Sequence, residues 1–198
     1  MINHKYKFIF IHLPSTGGTS IEHCFKESSE PFTSALQDFD PPYICEEVEK
    51  HISPTIAKDI YSEYWGDYFK FSFVRNPWDW LSSLWDKGFR RRRGLSFSQW
   101  LQNPTLAPHE KQNMFDLKNE LAEMNFIGRF ENLQQDFNAV CSNINHAQKK
   151  LSHKKSSTRK HYSQYYNKNT REIVSEMYAK DIEFFGYEFV NHQLNNDT

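Results

Sequence analysis

The chain has 198 residues, 38% of them hydrophobic and 16% aromatic, with a net charge of −1. That length and apolar content suit one α/β domain with a buried core and room for a small helical appendage. The near-zero charge removes an overall electrostatic case for a nucleic-acid partner, although Arg90 to Arg93 form one basic run, and Lys149, Lys150, Lys154, Lys155, Arg159 and Lys160 form a second basic cluster.

The first predicted element is the apolar run Phe8 to Leu13, short, aromatic and β-branched with one His inside, which reads as a strand buried on both faces. Pro14, Ser15, Thr16, Gly17, Gly18, Thr19 and Ser20 then form a loop of small residues, and a helix is expected from Ile21 and Glu22 to about Glu27. Strand, small-residue loop and helix together present backbone N–H groups and a helix N-terminus to an anion. In this reading Gly17 and Gly18 allow positive φ and close approach, and Thr16, Thr19 and Ser20 add hydroxyl donors. A plain β–α turn would not need seven such residues. A nucleoside-triphosphate P-loop needs a Lys after its last Gly, and none follows Gly18.

Residues 28 to 42 read as an irregular excursion. In His51-Ile-Ser-Pro, Ser53 and Pro54 read as an N-cap and first helical position, with the helix running from Thr55 to Tyr64. Asp67 to Val74 is a second buried strand ended by Arg75-Asn76-Pro77. Trp78 to Lys87 is a helix with Trp78, Leu81, Leu84 and Trp85 on one face. A short helix is expected over Ser96 to Gln102, a loop over Asn103 to Asn113, a third strand over Met124 to Arg129 and a helix over Leu133 to Ile144. His146 to Lys160 reads as unstructured. A last helix covers Asn169 to Phe184 and is capped by Gly186. Strands alternating with helices imply a P-loop-like parallel β-sheet flanked by helices in a single domain over 1–198, with ligands outside the carboxyl ends of the strands.

Arg75 follows the second strand and Ser83 lies eight residues on, off the apolar stripe of the next helix. An Arg fork and a hydroxyl together would hold a second phosphate. The bland alternative is that Arg75 pairs with Asp79 and Ser83 is solvated. Cys24, Cys45 and Cys141 are odd in number and lack C-x-x-C spacing, so neither a disulfide scaffold nor a zinc site is expected. No signal-peptide pattern opens the chain and no apolar run approaches the ~20 residues of a membrane helix. The expectation is a soluble, cytoplasmic protein without a membrane span.

The segments FIFIHLPSTGGTSIE and FKFSFVRNPWDWLSSLW resemble the two phosphoadenosine signatures of sulfotransferase family 2, the carbohydrate-type sulfotransferases. The segments IGRFENLQQDF, SHKKSSTRKHYSQYY and TREIVSEMYAKDIEFFGYEF are similar to later blocks, so the resemblance spans most of the chain. It implies 3′-phosphoadenosine-5′-phosphosulfate (PAPS) as sulfate donor, PAP as product, no metal, and a hydroxyl acceptor, with a carbohydrate expected. The loop Ser15 to Ser20, above all Thr16, Gly17, Gly18, Thr19 and Ser20, would cradle the 5′-phosphosulfate. Arg75 and Ser83 would hold the 3′-phosphate, and Ser157 and Arg159 fall where a loop closes over the nucleotide. Acceptor contacts would come from variable loops near 28–50 and 88–113, where Arg90 to Arg93 would recruit an acidic substrate or simply be solvated. Two residues depart from the pattern: Ser15 replaces a Lys, and Trp80 replaces an Arg.

Sulfuryl transfer builds charge on the bridging oxygen, which a Lys would neutralise and Ser15 cannot. Three readings follow: another cation, from Arg90 to Arg93 or Lys154 to Arg159, swings in; the protein is slow or inactive in transfer while still binding nucleotide; or Ser15 is an engineered or variant position. The acceptor hydroxyl also needs a base. His51 is the candidate, lying between the two motifs where some relatives carry a catalytic His. Its alternative is a helix-entry His with local hydrogen bonds. Glu22 and His23 are weaker candidates, Glu22 being read as a stabiliser of the helix start, and His12 reads as a satisfied core histidine. A non-catalytic nucleotide-binding homologue and, more distantly, a small nucleotide kinase are the rival functions. The sequence leaves the oligomeric state open.

Overall fold

The computed structural model describes residues 1–26, 51–89, 94–103, 116–152 and 159–192. The predicted acceptor loops therefore lie wholly or mostly outside the described residues, as do Arg90 to Arg93, Lys154, Lys155 and Ser157. The chain forms two compact units, one of residues 1–74 and 120–154 and one of 75–119 and 155–198.

The first unit carries a four-stranded sheet of β1 (Ile2–Asn3), β2 (Phe8–Ile11), β3 (Phe69–Val74) and β4 (Phe126–Arg129), in that spatial order. β2, β3 and β4 are parallel, as expected, with Phe10 opposite Phe71 and Phe73 opposite Gly128. β1, which was not expected, adds an antiparallel edge to these parallel strands by pairing with β2, so the sheet as a whole is mixed. Two residues are too few to display a hydrophobic period, which is why the sequence concealed it.

Phe8, Phe10, Phe71 and Phe73 share a core with residues of two helices, α1 (Gly18–Lys26) and α7 (Leu133–Asn143). Phe10 stacks on Phe71 at 4.8 Å. Each such ring contributes up to about 3 kcal/mol by leaving water. All four residues of β2 are at most 1% exposed, which is why the run carries no polar alternation. Ser72, the polar residue in the middle of β3, is satisfied by donating its hydroxyl to the Ile11 carbonyl at 2.8 Å.

Ser53 accepts from the Ile56 N–H, and Pro54 opens α2 (Pro54–Ile60), as the sequence indicates. The expected single helix to Tyr64 instead breaks at Tyr61 (ψ 25°), and α3 (Ser62–Trp65) follows. Residues 146–152 contain no helix or strand, yet they are anchored: Leu151 joins the core and its N–H donates to Gln134 at 2.8 Å.

In the second unit, α4 (Pro77–Leu84) is capped by Asn76, whose Oδ1 accepts from the Trp78 N–H, and gives way at Trp85–Phe89 to a wider π turn. Ser96 and Gln99 form a reciprocal capping box on α5 (Phe97–Gln102). α6 (Leu117–Glu120) is a single turn that the sequence did not reveal. The expected last helix is two, α8 (Lys168–Met177) and α9 (Ala179–Phe185), divided at Tyr178, whose ring is buried near Trp80. Gly186 ends α9 in the left-handed conformation, as anticipated.

Candidate functional site

The predicted site residues fall in both units. In the first unit, the loop after β2 turns sharply: Ser15 (φ 58°) and Gly17 (φ 87°) both have left-handed backbone. Helix α1 starts at Gly18, three residues earlier than expected. Gly18, Thr19 and Ser20 are therefore its first turn, where backbone N–H groups lack intrahelical acceptors and the helix dipole is positive.

The two glycines serve different ends. A Cβ on Gly17 would lie 2.6 Å from Leu133 Cδ2 and would have to tolerate positive φ. Gly18 has ordinary φ, and a Cβ there would lie 2.1 Å from the His12 ring. Its bareness makes room for an imidazole, a need the sequence reading had assigned to phosphate. Thr16 is also corrected as a hydroxyl donor to an anion. It is fully buried, and its only O–H proton goes inward to the Leu13 carbonyl at 2.7 Å. Ser20 is buried and Thr19 is partly exposed.

His12 is the core histidine the sequence suggested, and Glu22 is its partner: Nδ1 lies 2.6 Å from Glu22 Oε1. Glu22 was read only as a stabiliser of the helix start. Once α1 begins at Gly18, positions 18, 21, 22 and 25 share one helical face, so Glu22 falls on the buried stripe and needs a partner. His51 is half-buried, and its Nδ1 lies 3.0 Å from the His12 carbonyl oxygen. A carbonyl only accepts, so Nδ1 carries the proton and the neutral ring keeps its lone pair on Nε2. The bond spans 39 residues, so His51 is not making merely local contacts.

A cavity of about 490 Å³ opens beside Ser20 in the same unit, between α7 and the segment after it. Leu133 and Leu151 form its apolar wall, and Asn138, Gln148, Lys149 and Lys150 supply its polar lining. Gln134 braces the cavity by donating to the Lys149 carbonyl and accepting from the Leu151 N–H. Leu133 and Gln134 lie in the segment IGRFENLQQDF and Lys149 and Lys150 in the second basic cluster, but that they line one cavity follows only from contacts between α7 and a segment without regular structure.

In the second unit, Arg75 (5% exposed) and Ser83 (2% exposed) are both buried, which corrects the alternative of a solvated Ser83. The Arg75–Asp79 pairing weighed from sequence is present, with Nε and Nη2 at 2.8 and 2.7 Å from Oδ2. Arg159 joins the same carboxylate through Nη2 and donates from Nη1 to Ser82 Oγ at 2.7 Å. Burial would raise the Asp79 carboxyl, but the Arg75 and Arg159 guanidiniums outweigh it and hold it below the usual range. Arg75 and Arg159 are thus brought together, 84 positions apart, while Ser157 lies outside the described residues.

Among the described residues no cluster of His, Cys, Asp and Glu could hold a metal ion, and no helix is long and apolar enough to cross a membrane. The first unit is an α/β arrangement in which a buried parallel strand leads through a left-handed loop into a helix N-terminus, a geometry able to meet an anion. The family model described as the sulfotransferase family matches residues 1–188, and the chain belongs to that family. It is a sulfotransferase. No curated protein and no solved structure matches it.

Proposed function

We propose that the protein transfers a sulfuryl group from PAPS to a hydroxyl, with a carbohydrate as acceptor. The observation that carries this reading is membership of the sulfotransferase family together with the left-handed loop that leads into the N-terminus of α1. Each unit carries donors of the kind that a phosphate group needs. Backbone N–H groups and the Thr19 and Ser20 hydroxyls around the start of α1 would hold the 5′ side. Arg75 and Ser83 would hold the 3′-phosphate, with Arg159, which shares the Asp79 carboxylate with Arg75, beside them; Ser157 belongs to the loop expected to close over the nucleotide. The cavity beside Ser20 offers an apolar wall and an amide to a planar base.

Bound there, PAPS supplies an activated sulfuryl group, with PAP as the product. The chain's own contribution is to orient and to move one proton. His51, its Nδ1–H held on the His12 carbonyl, accepts the acceptor's proton at Nε2. Ser15 offers a hydroxyl where the family pattern has a Lys, so charge on the leaving oxygen is met by N–H dipoles and less by a cation. That same substitution favours a second reading, a nucleotide-binding family member with weak transfer.

Calorimetric titration with PAP, followed by transfer from labelled PAPS to a panel of polysaccharide, lipid-linked sugar and small alcohols, tests both. Turnover that falls about 100-fold or more in His51→Ala supports the base, and unchanged turnover removes it. Binding without turnover supports the second reading. PAP affinity unaltered in Arg75→Ala would overturn the 3′-phosphate assignment.

A further inference from the structure

Arg75 and Arg159 converge on one carboxylate from opposite sides. Arg75 engages Asp79 Oδ2 through two nitrogens, Arg159 engages Oδ1, and Arg159 is steadied again by Ser82 Oγ. All three charged side chains are largely withdrawn from water, at 5%, 17% and 11% exposure. Two guanidiniums would repel in such a place, and the carboxylate between them is what allows both to stay. Asp79 remains ionised at neutral pH, since the arginines more than offset the effect of burial. The cluster therefore carries two positive charges and one negative, a net +1.

We propose that Asp79 is a positioning residue that sets the preference of this site for a nucleotide bearing a 3′-phosphate, by holding the guanidiniums of Arg75 and Arg159 on its two carboxylate oxygens, ordered before the ligand arrives. The inference rests on the nucleotide reading above and adds a residue to it. Simple charge counting gives the opposite expectation. Removing a carboxylate from an anion site raises its net charge from +1 to +2 and should tighten phosphate binding. Positioning predicts weakening, because the neutral amide of Asp79→Asn offers one acceptor oxygen and no charge to two guanidiniums, so that one of them would have to be ordered at the moment of binding. The two effects differ in sign.

The test compares adenosine 3′,5′-bisphosphate with adenosine 5′-monophosphate by calorimetry on the full chain. In Asp79→Asn the affinity for the bisphosphate should fall about tenfold while that for the monophosphate stays within about twofold, so the ratio collapses. The double variant Asp79→Asn/Arg159→Ala should lose less bisphosphate affinity than the two single losses combined. A ratio that is unchanged or rises in Asp79→Asn overturns the proposal, as do additive losses. A helix-stabilising role alone would lower the melting temperature without moving the ratio. If Asp79→Asn does not fold, Ser82→Ala, which removes a second hold on Arg159 together with the Ser82 bond to the Asp79 carbonyl, should lower the ratio about threefold, and an unmoved ratio there overturns the proposal too. Wild-type protein that binds both nucleotides equally would instead overturn the underlying 3′-phosphate reading.

Discussion

His12 Nδ1 lies 2.6 Å from Glu22 Oε1, with the two side chains 4% and 9% exposed. The same residue's carbonyl accepts from His51 Nδ1 at 3.0 Å, so His12 ties helix α1 through its side chain and His51 through its main chain. Glu22→Ala would leave a buried imidazole N–H without this acceptor and is expected to cost about 3 kcal/mol. Glu22→Gln keeps an acceptor oxygen and should cost about 1 kcal/mol. Urea denaturation of both variants distinguishes them, and equal losses would show that the hydrogen bond is not what holds the pair.

Ser15 has φ 58°, a conformation that costs a β-carbon-bearing residue much the same whichever side chain it carries. Ser15→Lys should therefore leave stability within about 0.5 kcal/mol. If the missing charge limits transfer, the variant should turn over labelled PAPS about 10²–10³ times faster. Unchanged turnover would mean that another group already neutralises the leaving oxygen.

Asp181 is buried on α9, with Oδ1 accepting from the Leu117 N–H at 2.7 Å and Oδ2 without a hydrogen-bond partner among the described residues. Burial pushes its carboxyl up to about 6, with backbone N–H donation from Leu117 opposing and the Asp116 charge adding. The folded state thus holds this proton more tightly than the unfolded state. The resulting stability is present in full below the unfolded value of 3.8 and is lost as pH rises through about 6. The full effect is at most about 3 kcal/mol. Asp181→Asn resembles the protonated form, so it should be more stable than wild type by about 1–2 kcal/mol at pH 7.5, with the gap narrowing at pH 5. A gap equal at both pH values in guanidinium denaturation would show that Asp181 does not titrate in this window.

Gly18→Ala would drive a methyl group into an imidazole that cannot easily retreat, since Glu22 holds its Nδ1 and Phe10 stacks on it at 5.6 Å. The expected cost is about 1–3 kcal/mol. In a His12→Ala background the same substitution should cost much less. A double-mutant cycle measured by thermal unfolding checks this, and additive losses would place the strain elsewhere.

Much of the architecture was written in short stretches of chain. The apolar runs of β2, β3 and β4, the Ser53-Pro54 and Gly186 caps, and the small-residue loop at 14–20 are local features. Each is fixed by backbone sterics or by the need to bury a continuous apolar segment, and each could be read directly. β1 could not, because two residues have no period. Nor could the breaks at Tyr61 and Tyr178, where the backbone leaves helical ψ within an otherwise helix-compatible sequence.

The sequence by itself determined which residue types were available for the chemistry: small residues before α1, Arg75 after β3, and His51 ahead of α2. Tertiary structure decided what each of them touches. Thr16 turned its proton inward, Gly18 made room for His12, Glu22 became a buried partner, and Asp79 gathered guanidiniums 84 residues apart in the chain. The physical reason is that a hydrogen bond depends on distances near 3 Å, and only the folded chain sets which distant groups come that close.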